Sequence, residues 1–108
     1  MHRETAVQNQ IRVALSRYGV CFRMNSGLLR TPDGNPIRVG APGMSDLLYI
    51  GEPYQGYRPT VAWLEIKTDT GQPTDEQLRF IERMQTLGCR AGIARSVEDA
   101  LAIICIKQ

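Results

Sequence analysis

Thr60-Val61-Ala62-Trp63-Leu64-Glu65-Ile66-Lys67 is the stretch on which the reading of this chain turns. Its apolar run reads as a strand, and a strand sends successive side chains to opposite faces. Glu65 and Lys67 therefore leave the same face, about 7 Å apart along the chain. A ligand for a hard cation thus stands beside a fixed positive charge. A second acid, Asp46, opens another apolar run, Leu47-Leu48-Tyr49-Ile50. Carboxylates converging from neighbouring strands can hold Mg²⁺ or Mn²⁺, with the Ile66 carbonyl as a third oxygen. Such an ion activates water and neutralises charge on a phosphodiester under attack, while Lys67 orients the water or stabilises the transition state. The plainer alternative is a surface ion pair. Six Glu and two Lys in 108 residues yield roughly 0.1 Glu-x-Lys by chance, so the tripeptide alone is weak, and its weight comes from its place after a buried strand.

Downstream of this strand, Thr68 to Pro73 is polar, and Thr74-x-x-Gln77 fits a capping box. Leu78, Ile81, Met84 and Leu87 form the apolar stripe of the helix that follows, and Gly88 closes it. Cys89 to Ala94 reads as a further strand. Ser96-x-x-Asp99 caps a last helix with Leu101, Ile104 and Cys105 inward. The unit from Val61 to Ala94 is strand-helix-strand, which favours parallel pairing.

Upstream, Val7, Ile11, Ala14, Leu15 and Tyr18 recur at helical steps and predict a helix over 3–18, with Glu4 and Gln8 on its core side. Val20 to Asn25 alternates as a strand, with Val20, Phe22 and Met24 on one face and Cys21, Arg23 and Asn25 on the other. Leu28 to Arg30 and Ile37 to Val39 flank the turn residues Thr31 to Pro36 as a hairpin. Gly40-Ala41-Pro42-Gly43 leads into Met44-Ser45-Asp46. The predicted architecture is α/β, one mixed central sheet flanked by helices.

The bulk composition narrows the function. At 43% hydrophobic and 22% charged, the chain can build one modest core. No apolar stretch approaches a membrane span, the start lacks a secretory segment, and three scattered cysteines read as reduced thiols, so a cytoplasmic protein is expected. With His2 the only histidine and no CxxC pair, a structural zinc site is not expected. The net charge is only +2, yet 11 of the 13 basic residues are Arg, the side chain suited to bidentate phosphate contacts.

Arg23, Arg30 and Arg38 lie close together in sequence, opposed there only by Asp33. Arg30 and Arg38 on the hairpin arms could grip a nucleic-acid backbone, or stand as solvated hairpin residues. Asn25 and Ser26 at the end of the first strand and Ser45 before Asp46 are further candidate contacts. Glu4 in the first helical turn suits the helix dipole, and Gln77 completes a capping box at the N-terminus of the helix after Lys67, where it could meet a phosphate or a bound water.

Glu4, Arg23-Met24-Asn25-Ser26-Gly27, Gly43-Met44-Ser45-Asp46, Glu65-Ile66-Lys67 and Gln77 occur in an order that resembles the VRR-NUC (virus-type replication-repair nuclease) family of the PD-(D/E)xK superfamily, in its compact stand-alone phage and bacterial form. The resemblance runs from Glu4 to the final helix and implies a restriction-endonuclease-like core forming one nuclease domain over residues 1–108. It implies Asp46 and Glu65 as metal ligands with the Ile66 carbonyl, Lys67 as the catalytic lysine, Glu4 supporting the metal through water, and Gln77 positioning water or the scissile phosphate. It implies a Mg²⁺- or Mn²⁺-dependent DNA endonuclease acting on branched, flap or Holliday-junction-like DNA, working as a homodimer in a bacterial cell or phage-infected host. One departure is Ser45, which stands where the superfamily name has Pro before the Asp. The alternatives are a non-cleaving nucleic-acid-binding module of the same fold and a sequence-specific restriction-type nuclease.

Overall fold

The computed structural model describes residues 3–24, 27–53 and 58–105. The elements follow in the order α1 (Arg3–Leu15), β1 (Gly19–Arg23), β2 (Gly27–Arg30), β3 (Pro36–Val39), β4 (Leu47–Gly51), β5 (Thr60–Ile66), α2 (Asp75–Thr86), β6 (Arg90–Ala94) and α3 (Val97–Ile103). Four strands form a mixed sheet in the order β1-β4-β5-β6. β1 with β4 and β4 with β5 are antiparallel, and β5 with β6 is parallel, as the strand-helix-strand unit predicts.

Alternation divides the sheet into two unlike faces. Leu47 and Tyr49 of β4, Ala62, Leu64 and Ile66 of β5, and Ala94 of β6 are buried together with Ile11 and Leu15 of α1 and Ala100 and Leu101 of α3. α2 packs on β5 and β6, and its Phe80 meets Trp63 edge-on at 5.1 Å between ring centroids. Trp63 alternates with Leu64 along β5, so α2 covers the other face. Gly19 and Gly51 pair across the β1–β4 end, where a Cβ on Gly19 would collide with the Ile50 carbonyl and one on Gly51 with the Tyr49 ring.

Three expectations are corrected. α1 stops at Leu15, because the backbone tightens: Arg17 N–H donates to the Ala14 carbonyl and Tyr18 N–H to the Leu15 carbonyl, three residues back. In α2, Ile81 is buried but Leu78 and Leu87 are exposed; the inward line passes through Gln77, Phe80 and Ile81 instead. The hairpin is a separate two-stranded sheet that pairs with no other strand among the described residues. The proposed stripe and the single sheet both followed from periodicity, which sees the pattern within an element and not what it packs against.

Leu64 sits at the centre of the core and is wholly excluded from solvent. Leu64→Ala is expected to lower unfolding stability by about 2–5 kcal/mol, read as a reduced urea midpoint at unchanged m-value.

Candidate functional site

The antiparallel register pairs Leu47 with Leu64, so one step outward Asp46 faces Glu65 across β4 and β5. Two bonds lock the Asp46 segment there. Met24 N–H donates to the Asp46 carbonyl at 2.7 Å, and the Ile66 N–H donates to Asp46 Oδ2 at 2.8 Å. One carboxylate oxygen of Asp46 thus straps the start of β4 to the end of β5. The same edge of the sheet also receives the end of β1 and the end of β6, where Lys67 N–H donates to the Ala94 carbonyl at 3.1 Å.

Glu65 is 2% exposed and is held from two sides. Gln77 Nε2 donates to its Oε2 at 3.2 Å, and Lys67 Nζ stands 3.8 Å from the same oxygen. Its other oxygen, Oε1, is buried and accepts from no donor among the described residues. Burial pushes the Glu65 carboxyl up from the ordinary 4.5 to about 9; the nearby Asp46 carboxyl, through its closeness and its charge, acts in the same direction, Lys67 opposes it, and Glu4 adds to the rise. Glu4, from the first turn of α1, is therefore within electrostatic reach of this pair.

Gln77 reconciles two readings of one residue. Its Oε1 accepts from the Thr74 N–H at 2.9 Å while its own N–H donates to Thr74 Oγ1 at 3.1 Å, completing the capping box. With Oε1 committed to the cap, the amide must offer Nε2, a donor, to Glu65. The helix terminus itself is not a free anion site, since Thr74 occupies it and Asp75 and Glu76 bring two acids to the first turn. Gly43, at φ +74°, lets the loop before Asp46 lie directly on this turn: a Cβ there would strike the Glu76 carbonyl and the Gln77 nitrogen.

Of the proposed nucleic-acid contacts, Arg23 is exposed at the end of β1. It pairs with Leu47, so it lies on the sheet face opposite Glu65. Arg30 and Arg38 are exposed on one face of the hairpin, Arg30 opposite Pro36 and Arg38 opposite Leu28, and Arg30 also donates to the Gly34 carbonyl at 3.0 Å. Asn25 and Ser26 lie outside the described residues. Ser45 is corrected: it is wholly buried, its hydroxyl without a hydrogen-bond partner among the described residues, so its side chain has no surface to offer a DNA backbone. Arg95 was not singled out by the sequence; its guanidinium donates to the carbonyls of Thr68 and Gly71, in the loop after Lys67. No local pattern announces a bond that spans 24 and 27 residues.

Among the described residues, no three His, Cys, Asp or Glu side chains cluster as a metal cage. The donor set is leaner, two carboxylates with a backbone carbonyl between Glu65 and Lys67 and a third acid nearby. It fits a hard divalent cation on two grounds: Glu65 Oε1 is a buried acceptor without a partner among the described residues, and two crowded carboxylates are relieved by positive charge.

A solved structure described as a VRR_NUC domain is similar to this chain, with a TM-score of 0.65, 23% sequence identity and 100% of each chain covered. No protein-family model matches the chain, and no curated protein matches it in sequence. The likeness establishes the fold: a mixed α/β sheet flanked by helices, the fold of a VRR_NUC domain.

The raised Glu65 carboxyl sets a pH dependence with a definite sign. Between pH 4.5 and about 9 the folded chain retains a proton that the unfolded chain releases, so without metal stability falls as pH rises through this window. Glu65→Gln should flatten that slope, as read from urea midpoints in chelator across the window. Divalent cation, competing with the proton, should stabilise the wild type more at the alkaline end.

Proposed function

We propose that this chain is a metal-dependent DNA endonuclease, one nuclease domain over residues 1–108, that hydrolyses phosphodiester bonds in branched, flap or junction-like DNA. The observation that carries it is the strapped pair Asp46 and Glu65, with a buried Glu65 oxygen that has no partner among the described residues and Lys67 at its side. The VRR_NUC fold supports the same reading. Asp46, Glu65 and the Ile66 carbonyl would hold Mg²⁺ or Mn²⁺, with Glu4 supporting the ion through water. The ion, when bound, supplies a more acidic water and charge neutralisation at the scissile phosphate.

The protein's own groups do the positioning. Asp46 is fixed by the Ile66 N–H and cannot swing away from Glu65 without losing that bond. Gln77, aimed by its capping box, holds Glu65 Oε2 and keeps a polar amide beside the place where water or phosphate would sit. Lys67 keeps a cation next to the carboxylate pair, where it can orient a nucleophilic water or stabilise charge developing on the phosphate. Arg23, Arg30 and Arg38, with Asn25 and Ser26 as further candidates, would contact the DNA backbone.

A homodimer accounts for the apolar surface left open. Val20 and Phe22 are 55% and 47% exposed, and the register sets them beside Ile50 and Leu48 on one sheet face. β1 is an edge strand among the described residues, and Leu28, Leu29 and Ile37 stand exposed on the hairpin that follows it in sequence. Monomeric proteins rarely leave such a patch uncovered. A second copy is the occupant we favour, because a two-fold axis would let the same patch cover itself and present two sites to a branched substrate.

Wild type with Mg²⁺ or Mn²⁺ should cut flap, splayed-arm or four-way-junction DNA in preference to plain duplex. Asp46→Ala and Lys67→Ala should each slow cutting by about 100-fold or more while remaining folded by circular dichroism. Cleavage undiminished in both variants would overturn the assignment; salt-dependent binding with no cutting on any substrate would favour a non-cleaving module. Light scattering should give twice the chain mass of 12.1 kDa, and Phe22→Asp should return it to one chain. A wild-type monomer at micromolar concentration rejects the dimer.

A further inference from the structure

We propose that Arg95 is a positioning residue for Lys67, acting by clamping the loop that joins β5 to α2; this rests on the nuclease reading above. The loop from Lys67 to Thr74 connects the strand bearing Glu65 to the capped helix bearing Gln77. It has no ladder of its own. Among the described residues it is held by one internal turn, Gly71 N–H to the Thr68 carbonyl at 3.2 Å, and by Arg95, whose Nη1 donates to the Thr68 and Gly71 carbonyls at 2.5 and 2.7 Å.

The clamp bears on Lys67 through Gly71. A Cβ added to Gly71 would lie 3.5 Å from Lys67 Cδ and 3.3 Å from Thr68 Oγ1, so the Gly71 backbone lies against the lysine stem. Moving Gly71 moves the wall that directs Lys67 Nζ towards Glu65, a contact already at 3.8 Å. The base of the clamp is itself fixed. Arg95 N–H donates to Asp99 Oδ2 at 2.9 Å, and Asp99 N–H donates to Ser96 Oγ at 3.1 Å, the cap of α3. The preceding residue, Ala94, accepts the Lys67 N–H. Both ends of the lysine's reach, its backbone and its stem, are thus set from the end of β6.

A DNA-phosphate role fits Arg95 less well, since the same nitrogen is already engaged by two part-buried peptide carbonyls. Nor are those carbonyls members of the sheet or helix ladders, so the core does not need the clamp. Arg95→Lys retains a donor-rich cation, and Arg95→Ala removes it.

The test combines turnover on a cleavable DNA with amide hydrogen exchange of Gly71. Arg95→Ala is expected to lower kcat about 10- to 100-fold with KM for DNA within about twofold. Arg95→Lys should recover part of the loss, and Arg95→Ala should add nothing in a Lys67→Ala background. Mn²⁺ binding by calorimetry should be unchanged, because neither carboxylate is touched. Gly71 N–H should exchange faster in Arg95→Ala, with circular dichroism unchanged; if the alanine variant does not fold, Arg95→Lys against wild type gives the same comparison. A raised KM with unchanged kcat and a shallower salt dependence overturns the proposal in favour of a phosphate contact, and so does an undiminished effect in the Lys67→Ala background. Should wild type cut no DNA, the nuclease reading fails separately, and the exchange data still decide the clamp: equal Gly71 exchange in wild type and variant rejects it.

Discussion

The bond from the Ile66 N–H to Asp46 Oδ2 is the constraint around which the candidate site is arranged. Two carboxylates held close together in a poorly solvated place repel each other and resist ionisation. Left to itself, a loop carrying Asp46 would relax by swinging the acid into solvent. A backbone donor at the end of β5 prevents this, and it cannot itself move without breaking the register with β4 and β6. The strain of the acid pair is therefore balanced against sheet pairing, and the residual demand for positive charge falls on Glu65, whose carboxyl is raised and whose Oε1 has no partner among the described residues.

Gln77 shows how a stability device and a site device can share one side chain. An amide has one oxygen and one nitrogen, and the capping box takes the oxygen. The nitrogen is left facing Glu65, so the helix cap decides the polarity of a contact in the site. The approach of the loop before Asp46 onto this same turn, permitted by Gly43, ties the second carboxylate segment to the same helix end. The two acids, the amide and the lysine thus depend on one junction between a strand edge and a capped helix.

Much of this was legible in the sequence because the relevant rules are local. Period two puts Glu65 and Lys67 on one face, and the capping-box spacing alone names both Thr74 and Gln77. The helical step predicted a core-side Gln8, which is buried. What escaped was set at distance. The exposure of Leu78 and Leu87 depends on how α2 lies across β5 and β6, not on their spacing. The burial of Ser45 follows from the loop packing that Gly43 allows, and the Arg95 clamp joins segments that sequence proximity does not relate.

The separate hairpin illustrates a deeper limit of periodicity. β2 and β3 pair as expected, yet an isolated pair of strands is marginal in water unless something covers a face. Alternation reports that a strand has two faces; it is silent on how many of them the same chain will bury. Here Leu47, Leu64 and Ile66 on one face of the main sheet are fully buried, whereas Val20, Phe22 and Ile50 on the other face extend past the cover that α2 provides at β5 and β6. Much of the apolar surface that the fold leaves open lies on β1 and the hairpin, with Val13 of α1 and Leu78 and Leu87 of the α2 segment exposed elsewhere. A chain of this size has no further helix among the described residues with which to cover them. The face of Val20 and Phe22 is the one that carries Asp46 and Glu65, and Met24, two residues beyond Phe22, donates to the Asp46 carbonyl, so whatever covers β1 borders the acid pair.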